Sequence, residues 1–164
     1  MDDATREAIA PVLGRTPSGI FILTATDGAG NETGMLASWV QQASFEPPMV
    51  TVAVNKKRYL NDWLQAAPRM ALSQVGENQK KLLGHFGRGF EPGVAAFDGV
   101  PTAQGETGLP VLTEAMGYLE GRISHSQDAG DHTVYFLVVV AGGVSGSLTD
   151  DKPMVHIRKN GFNY

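Results

Sequence analysis

The segment Val134-Tyr135-Phe136-Leu137-Val138-Val139-Val140 constrains the chain more than any other. It is apolar at odd and even positions alike and rich in Val, which reads as a β-strand. It is too short to span a bilayer as a helix. A strand with two apolar faces needs cover on both. One cover is the interior of its own sheet. The other is either a helix or a partner subunit.

The rest of the chain supports a mainly β reading. Ile20 to Thr26 and the stretch from Thr33 to Phe45 read as strands, the second ended by Pro47-Pro48. Between them, Asp27-Gly28-Ala29-Gly30-Asn31 is turn chemistry. Val50, Val52 and Val54 alternate with Thr51, Ala53 and Asn55, the pattern of a half-buried strand. Met70 to Val75, Ala115 to Ser126, Thr133 to Val144 and Met154 to Arg158 complete the predicted strands.

Helices are predicted over Asp3 to Leu13, around Tyr59, Leu60, Trp63 and Leu64, and over Glu77 to Phe86. In the first, Asp2 or Asp3 is the cap, Gly14 the stop, and Pro11 a complication. Gly87 and Gly89 end the last. Arg88 to Val111 reads as loop. The expectation is one domain over 1–164, a β-barrel with two or three short inserted helices.

Charge narrows the partners. The chain has 13 Lys and Arg against 17 Asp and Glu, so there is no basic footprint for nucleic acid. The polar, acidic start predicts no cleaved leader, and a cytoplasmic setting with no membrane span is expected. Cysteine is absent, which excludes disulfides and thiolate chemistry. His85, His125, His132 and His156 lack metal-ligand spacing, so no metal site is expected. No dinucleotide fingerprint, phosphate loop or nucleophile elbow is present.

Lys56, Lys57 and Arg58 fall at the predicted start of the helix carrying Trp63. Cations there oppose the helix dipole, by about 0.3–1 kcal/mol each when exposed. Two readings stand: a solvated basic turn, or a site where a bound phosphate reverses the sign. Gly34-Met35-Leu36-Ala37-Ser38-Trp39 mixes small and large residues, as a plain barrel strand or as one that a flat ligand approaches. Gly130-Asp131-His132 reads as a hairpin turn. Phe86, Tyr59 and Trp39 are core aromatics or stacking surfaces for a ring system.

In their order along the chain these segments resemble the flavin reductase-like family of FMN-binding split barrels. The resemblance is carried by Pro17-Ser18-Gly19, Thr24, Gly34-Met35, Ala37-Ser38-Trp39, Phe45-Glu46-Pro47-Pro48-Met49-Val50, Asn55-Lys56, and Gln79, Leu82 and Phe86. Gly108-Leu109-Pro110-Val111-Leu112, Gly130-Asp131-His132 and Pro153-Met154-Val155 complete it. The run from Ala37 to Pro48 and the ending His156 to Tyr164 are similar to the C-terminal reductase module of flavodiiron proteins.

The resemblance implies a Greek-key split barrel, a homodimer, FMN as cofactor and NADH or NADPH as donor. It places flavin contacts on Met35, Leu36, Ala37, Ser38, Trp39, Val54, Asn55 and Lys56, with the phosphate near Lys56, Lys57 and Arg58. Phe86 matches on the helix. His132 falls where the family positions the nicotinamide. The implied activity is NAD(P)H:flavin oxidoreduction, with a flavodoxin-like, diiron core as one possible electron acceptor. A non-catalytic FMN electron-transfer module is the alternative, and a haem or pyridoxal phosphate binder a third. The family often has a small hydroxyl residue soon after Lys56, where this chain has Lys57-Arg58-Tyr59.

Overall fold

The computed structural model describes residues 1–144 and 151–163. Helix α1 (Asp3–Arg15) begins at Asp2, whose carboxylate accepts the Thr5 N–H at 2.7 Å, the role expected of an N-cap. Gly14 does not stop it. Gly14 is a buried helical residue because the C-terminal chain crosses there: a Cβ would lie 2.7 Å from the Arg158 carbonyl oxygen.

Strands β1 (Ser18–Gly19), β2 (Phe21–Thr26), β3 (Glu32–Ala37), β4 (Val40–Ser44) and β5 (Met49–Asn55) follow. Then come α2 (Leu60–Ala66), β6 (Arg69–Gln74), α3 (Lys80–Phe86), β7 (Thr102–Gln104) and β8 (Pro110–Leu112). The chain continues through β9 (Gly117–Ala129), β10 (His132–Val144) and β11 (Val155–His156). A mainly β architecture with three helices matches the sequence reading.

The principal sheet is antiparallel, in the order β3-β2-β6-β9-β10-β5-β4. The predicted single strand from Thr33 to Phe45 is two strands, and they lie at opposite ends of that order. Ser38 and Trp39 turn the corner between them, where the Ala53 N–H donates to the Trp39 carbonyl at 3.0 Å. The sheet therefore curls until β3 comes back beside β5, and this seam is the split of the barrel. Phe45 is in the turn after β4 and exposed. The predicted strand Met154 to Arg158 shrinks to β11, paired with β1.

Inside the barrel, Leu23, Val52, Val54, Met70, Leu72, Tyr135 and Leu137 pack with Leu60 and Leu64 of α2. Each such side chain contributes about 1.5–3 kcal/mol when fully buried. A second cluster covers the outside of β2 and β6, where Ile20, Ile22 and Val75 meet Leu82 and Phe86 of α3. Gly34 admits α3 to this close approach, since a Cβ there would lie 2.7 Å from the Phe86 ring.

The strands covered on both faces by the chain itself are thus β2, in which Ile22 to Thr26 are all buried, and β6, in which Met70 to Ser73 are. Among the described residues β10 has such cover on one face only. Tyr135 and Leu137 point into the core, whereas Val134, Phe136 and Val138 are half-buried and Val140 is 52% exposed.

Candidate functional site

β3 runs into the corner with Met35, Leu36, Ala37 and Ser38, and β5 faces it with Ala53 and Asn55. Between them lies a cleft of about 490 Å³, which these residues line together with Lys57, Arg58 and Gly87. Ala37 and Ala53 are small, so a flat group has room against the strands. Ser38 is 4% exposed, and its Oγ is buried with no hydrogen-bond partner. An unpaired buried hydroxyl costs about 1–3 kcal/mol, which a ligand accepting or donating there removes.

The far end of the cleft is cationic. Lys57 and Arg58 belong to a turn that precedes α2, and α2 is a single short helix starting at Leu60. The expected conflict with a helix dipole is therefore weaker than the sequence suggested, because the charges lie outside the helix. The turn is held from below. Asn55 Oδ1 accepts the Lys57 N–H at 3.0 Å and the Asn55 carbonyl accepts the Arg58 N–H at 3.0 Å. Buried Asn61 donates to the carbonyls of Asn55 and Arg58 at 2.9 and 2.8 Å. Its Oδ1 in turn accepts the Tyr135 hydroxyl at 2.9 Å. Burial pushes the Tyr135 phenol up, so it stays a donor at neutral pH. Asn61 and Tyr135 escaped the sequence reading because nothing local marks a clamp made by β10 and α2 together.

Lys56 is placed differently. Its Nζ meets Asp128 Oδ1 at 2.5 Å, and it is not among the residues lining the cleft. Val54 and Phe86 also stand apart from the cleft, since both side chains are 0% exposed within the two cores. A strand's alternation sends Val54 inward and leaves Ala53 and Asn55 facing the cleft. Ala53 and Gly87 were missed. Ala53 was legible as the small residue on the polar face of β5, while Gly87 reaches the cleft only through tertiary packing.

His132 and Trp39 flank the lined cleft without being part of its wall. His132 sits opposite Asn55 on the paired strand and is 6% exposed. Gly130, φ +70°, makes the two-residue turn just before it, the first central position where such hairpins favour glycine. His132 Nδ1 pairs with Asp131 Oδ1 at 2.7 Å, and its Nε2 is buried with no partner. That hydrogen bond holds the Asp131 carboxyl below the usual carboxylate range. The His132 ring centre lies 4.6 Å from that of Trp39. Among the described residues no cluster of His, Cys, Asp or Glu is arranged to hold a metal.

The flavin reductase like domain model matches residues 13–163, nearly the whole chain. The chain belongs to the flavin reductase-like family. Diflavin flavoprotein A 1 of Synechocystis sp. is 39% identical over 153 residues, covering 93% of the flavin reductase-like chain. The chain spans about a quarter of that relative, 26% of its length, and corresponds to the C-terminal module of such flavodiiron proteins. The NADH:FAD oxidoreductase SgcE6 of Streptomyces globisporus C-1027 superposes with a TM-score of 0.83 at 28% identity, over 96% of this chain and 92% of that one. A second structure of that enzyme, in complex with NAD and FAD fragments, superposes with a TM-score of 0.80 at 27% identity, over 96% and 91%. The fold is accordingly the split barrel of flavin reductases. Tyr164, the last residue of the flavodiiron-like ending, lies outside the described residues.

Proposed function

We propose that this flavin reductase-like chain holds FMN in the cleft between β3 and β5 and oxidises NADH or NADPH there. The observation that carries the reading is the cleft's polarity. It has an unsatisfied buried hydroxyl, Ser38, on one wall and two cations, Lys57 and Arg58, in the turn that also lines it. That pattern fits a ring with polar edges joined to a phosphate. Bound flavin supplies the two-electron chemistry, which the protein side chains lack. Ala37 and Ala53 leave the ring its space. Ser38 offers its hydroxyl to the ring's polar edge. Lys57 and Arg58 pair with the phosphate, with the turn pre-set by Asn61. His132, oriented by Asp131, receives the nicotinamide beside Trp39.

FMN reconstitution followed by absorbance tests this. The oxidised-flavin band appears on binding and bleaches when NADPH or NADH is added without oxygen. A protein that takes up no flavin overturns the cofactor assignment. A second reading has its own support: His132 is 6% exposed and does not line the cleft, as suits a passive FMN electron-transfer module. A bound flavin untouched by both nucleotides favours that module.

Electrons pass on to a flavodiiron oxygen-reducing core in this reading. The support is that this chain is similar to the C-terminal part of relatives about four times its length. A homodimer is part of the same proposal, supported by the apolar outer face of β10. A cytoplasmic setting belongs to the same proposal. Among the described residues no helix is long and apolar enough to cross a membrane.

A further inference from the structure

The C-terminal segment inverts the usual strand pattern. Val155 and Ile157 are 55% and 60% exposed, while His156 and Arg158 between and after them are half-buried. A segment that merely sealed the fold would turn its apolar residues inward. Departures of this kind cluster at functional positions.

The segment is firmly seated. β11 pairs with β1, the Arg158 N–H donates to the Gly14 carbonyl at 2.7 Å, and the Gly161 N–H to the Ala10 carbonyl at 2.8 Å. Gly161 has no room for a side chain, since a Cβ would lie 2.2 Å from the Cβ of Leu13. Farther along, the Arg6 guanidinium lies 3.9 Å over the Phe162 ring. This strap brings Arg158 to Trp39, with the guanidinium carbon 5.3 Å from the ring centre, within cation–π range. The same indole meets His132 at 4.6 Å. His132 is otherwise held by its Nδ1 contact to Asp131.

We infer that Arg158 is a positioning residue for the reductase: through Trp39 it sets the place of His132 and hence the reception of the nicotinamide donor. This rests on the donor reading above. Arg158 touches neither flavin nor donor in this role. The strap carries it in, the indole transmits its position, and the inward turn of a charged residue is explained.

The test uses the full chain with Trp63→Phe, which leaves Trp39 as the sole indole of the two tryptophans. Arg158→Ala removes the stack, and Arg158→Lys keeps the charge without the planar group. In flavin-free protein, Trp39 emission and its near-ultraviolet dichroism shift in Arg158→Ala and partly in Arg158→Lys. With FMN bound, anaerobic rapid mixing gives a donor dissociation constant raised about tenfold in Arg158→Ala. The limiting reduction rate stays within about twofold, and FMN affinity is unchanged. Arg6→Ala loosens the strap at Phe162, lowers Tm and leaves the donor constant where it was.

An unaltered Trp39 signal and donor constant overturn the inference. So does an equal rise of the donor constant in Arg6→Ala, or a parallel loss of FMN in Arg158→Ala, since either makes the strap only structural. Should Arg158→Ala fail to fold, Arg158→Lys carries the same comparison. A parent protein reduced by neither nucleotide overturns the donor reading itself and this inference with it.

Discussion

Ser38 and His132 each bury a polar atom that no protein group meets, and the consequences differ. Ser38 lines the cleft, and in the proposed reading its hydroxyl meets the bound ring, so its cost to the empty protein becomes a gain on binding. Ser38→Ala should stabilise the flavin-free protein by about 1 kcal/mol, read as a higher Tm, while weakening FMN binding about five- to tenfold. Paired thermal melts and flavin titrations check both signs. The basic turn separates in the same way. Lys57→Ala and Arg58→Ala should each weaken FMN binding about tenfold at low salt, and less at high salt. Lys56→Ala should leave it unchanged, because Lys56 is turned to Asp128. A sequence reading groups these three as one basic run; only the pairing of the β9–β10 hairpin against the end of β5 tells them apart. The Asp131–His132 contact has a pH sign as well. A carboxyl whose folded value is lowered contributes above its ordinary range and loses that contribution as pH falls through the lowered value. The clip is therefore intact at neutral pH.

At the scale of elements, the most consequential buried group is Glu120 on β9. It is 0% exposed and accepts the N–H groups of Glu106 and Thr107 at 3.0 and 2.8 Å and the Thr107 hydroxyl at 2.5 Å. It pins the β7–β8 hairpin to the principal sheet. Glu120→Ala leaves these donors unpaired and should cost about 2–4 kcal/mol, read as a lowered denaturation midpoint with the cleft's FMN affinity retained. Element types were largely legible. Alternation in Val50 to Asn55 and the run Val134 to Val140 marked β5 and β10, and the Asp2 cap marked α1. Boundaries failed where tertiary contacts decide them. Ser38-Trp39 looks like continuous strand because small and bulky residues both suit one, yet pairing sends β3 to β2 and β4 to β5. Gly14 looks like a stop because glycine usually is one, yet here it makes room for the returning chain.

For the whole molecule, the open question posed by β10 is its second cover. Val134, Phe136 and Val138 face outward beside Ala53, Thr51 and Met49 of β5. None of these six belongs to the buried clusters or the residues packed on them. The His125 ring stacks on Phe136 with ring centres 4.2 Å apart. Half-buried, largely apolar faces of this kind suit an interface. In the homodimer reading, Phe136→Asp should shift sedimentation from dimer to monomer without unfolding the barrel, since Phe136 lies outside the core. A parent protein that sediments as a monomer removes the dimer from the proposal.

Local pattern by itself determined the class of the protein. Periodicity two and turn residues between the runs were enough for a mainly β barrel, and an ordered series of short motifs carried the resemblance to the flavin reductase-like family, because each reports a property of a few neighbouring residues. Only the tertiary structure decided which strands are sealed on both faces, where the barrel splits, which cations reach the cleft and what holds the turn they sit on. Those depend on partners far apart in the chain, such as Asn61 with Tyr135 or α3 with Gly34. A strand's sequence states how apolar its two faces are, but not which neighbour covers them.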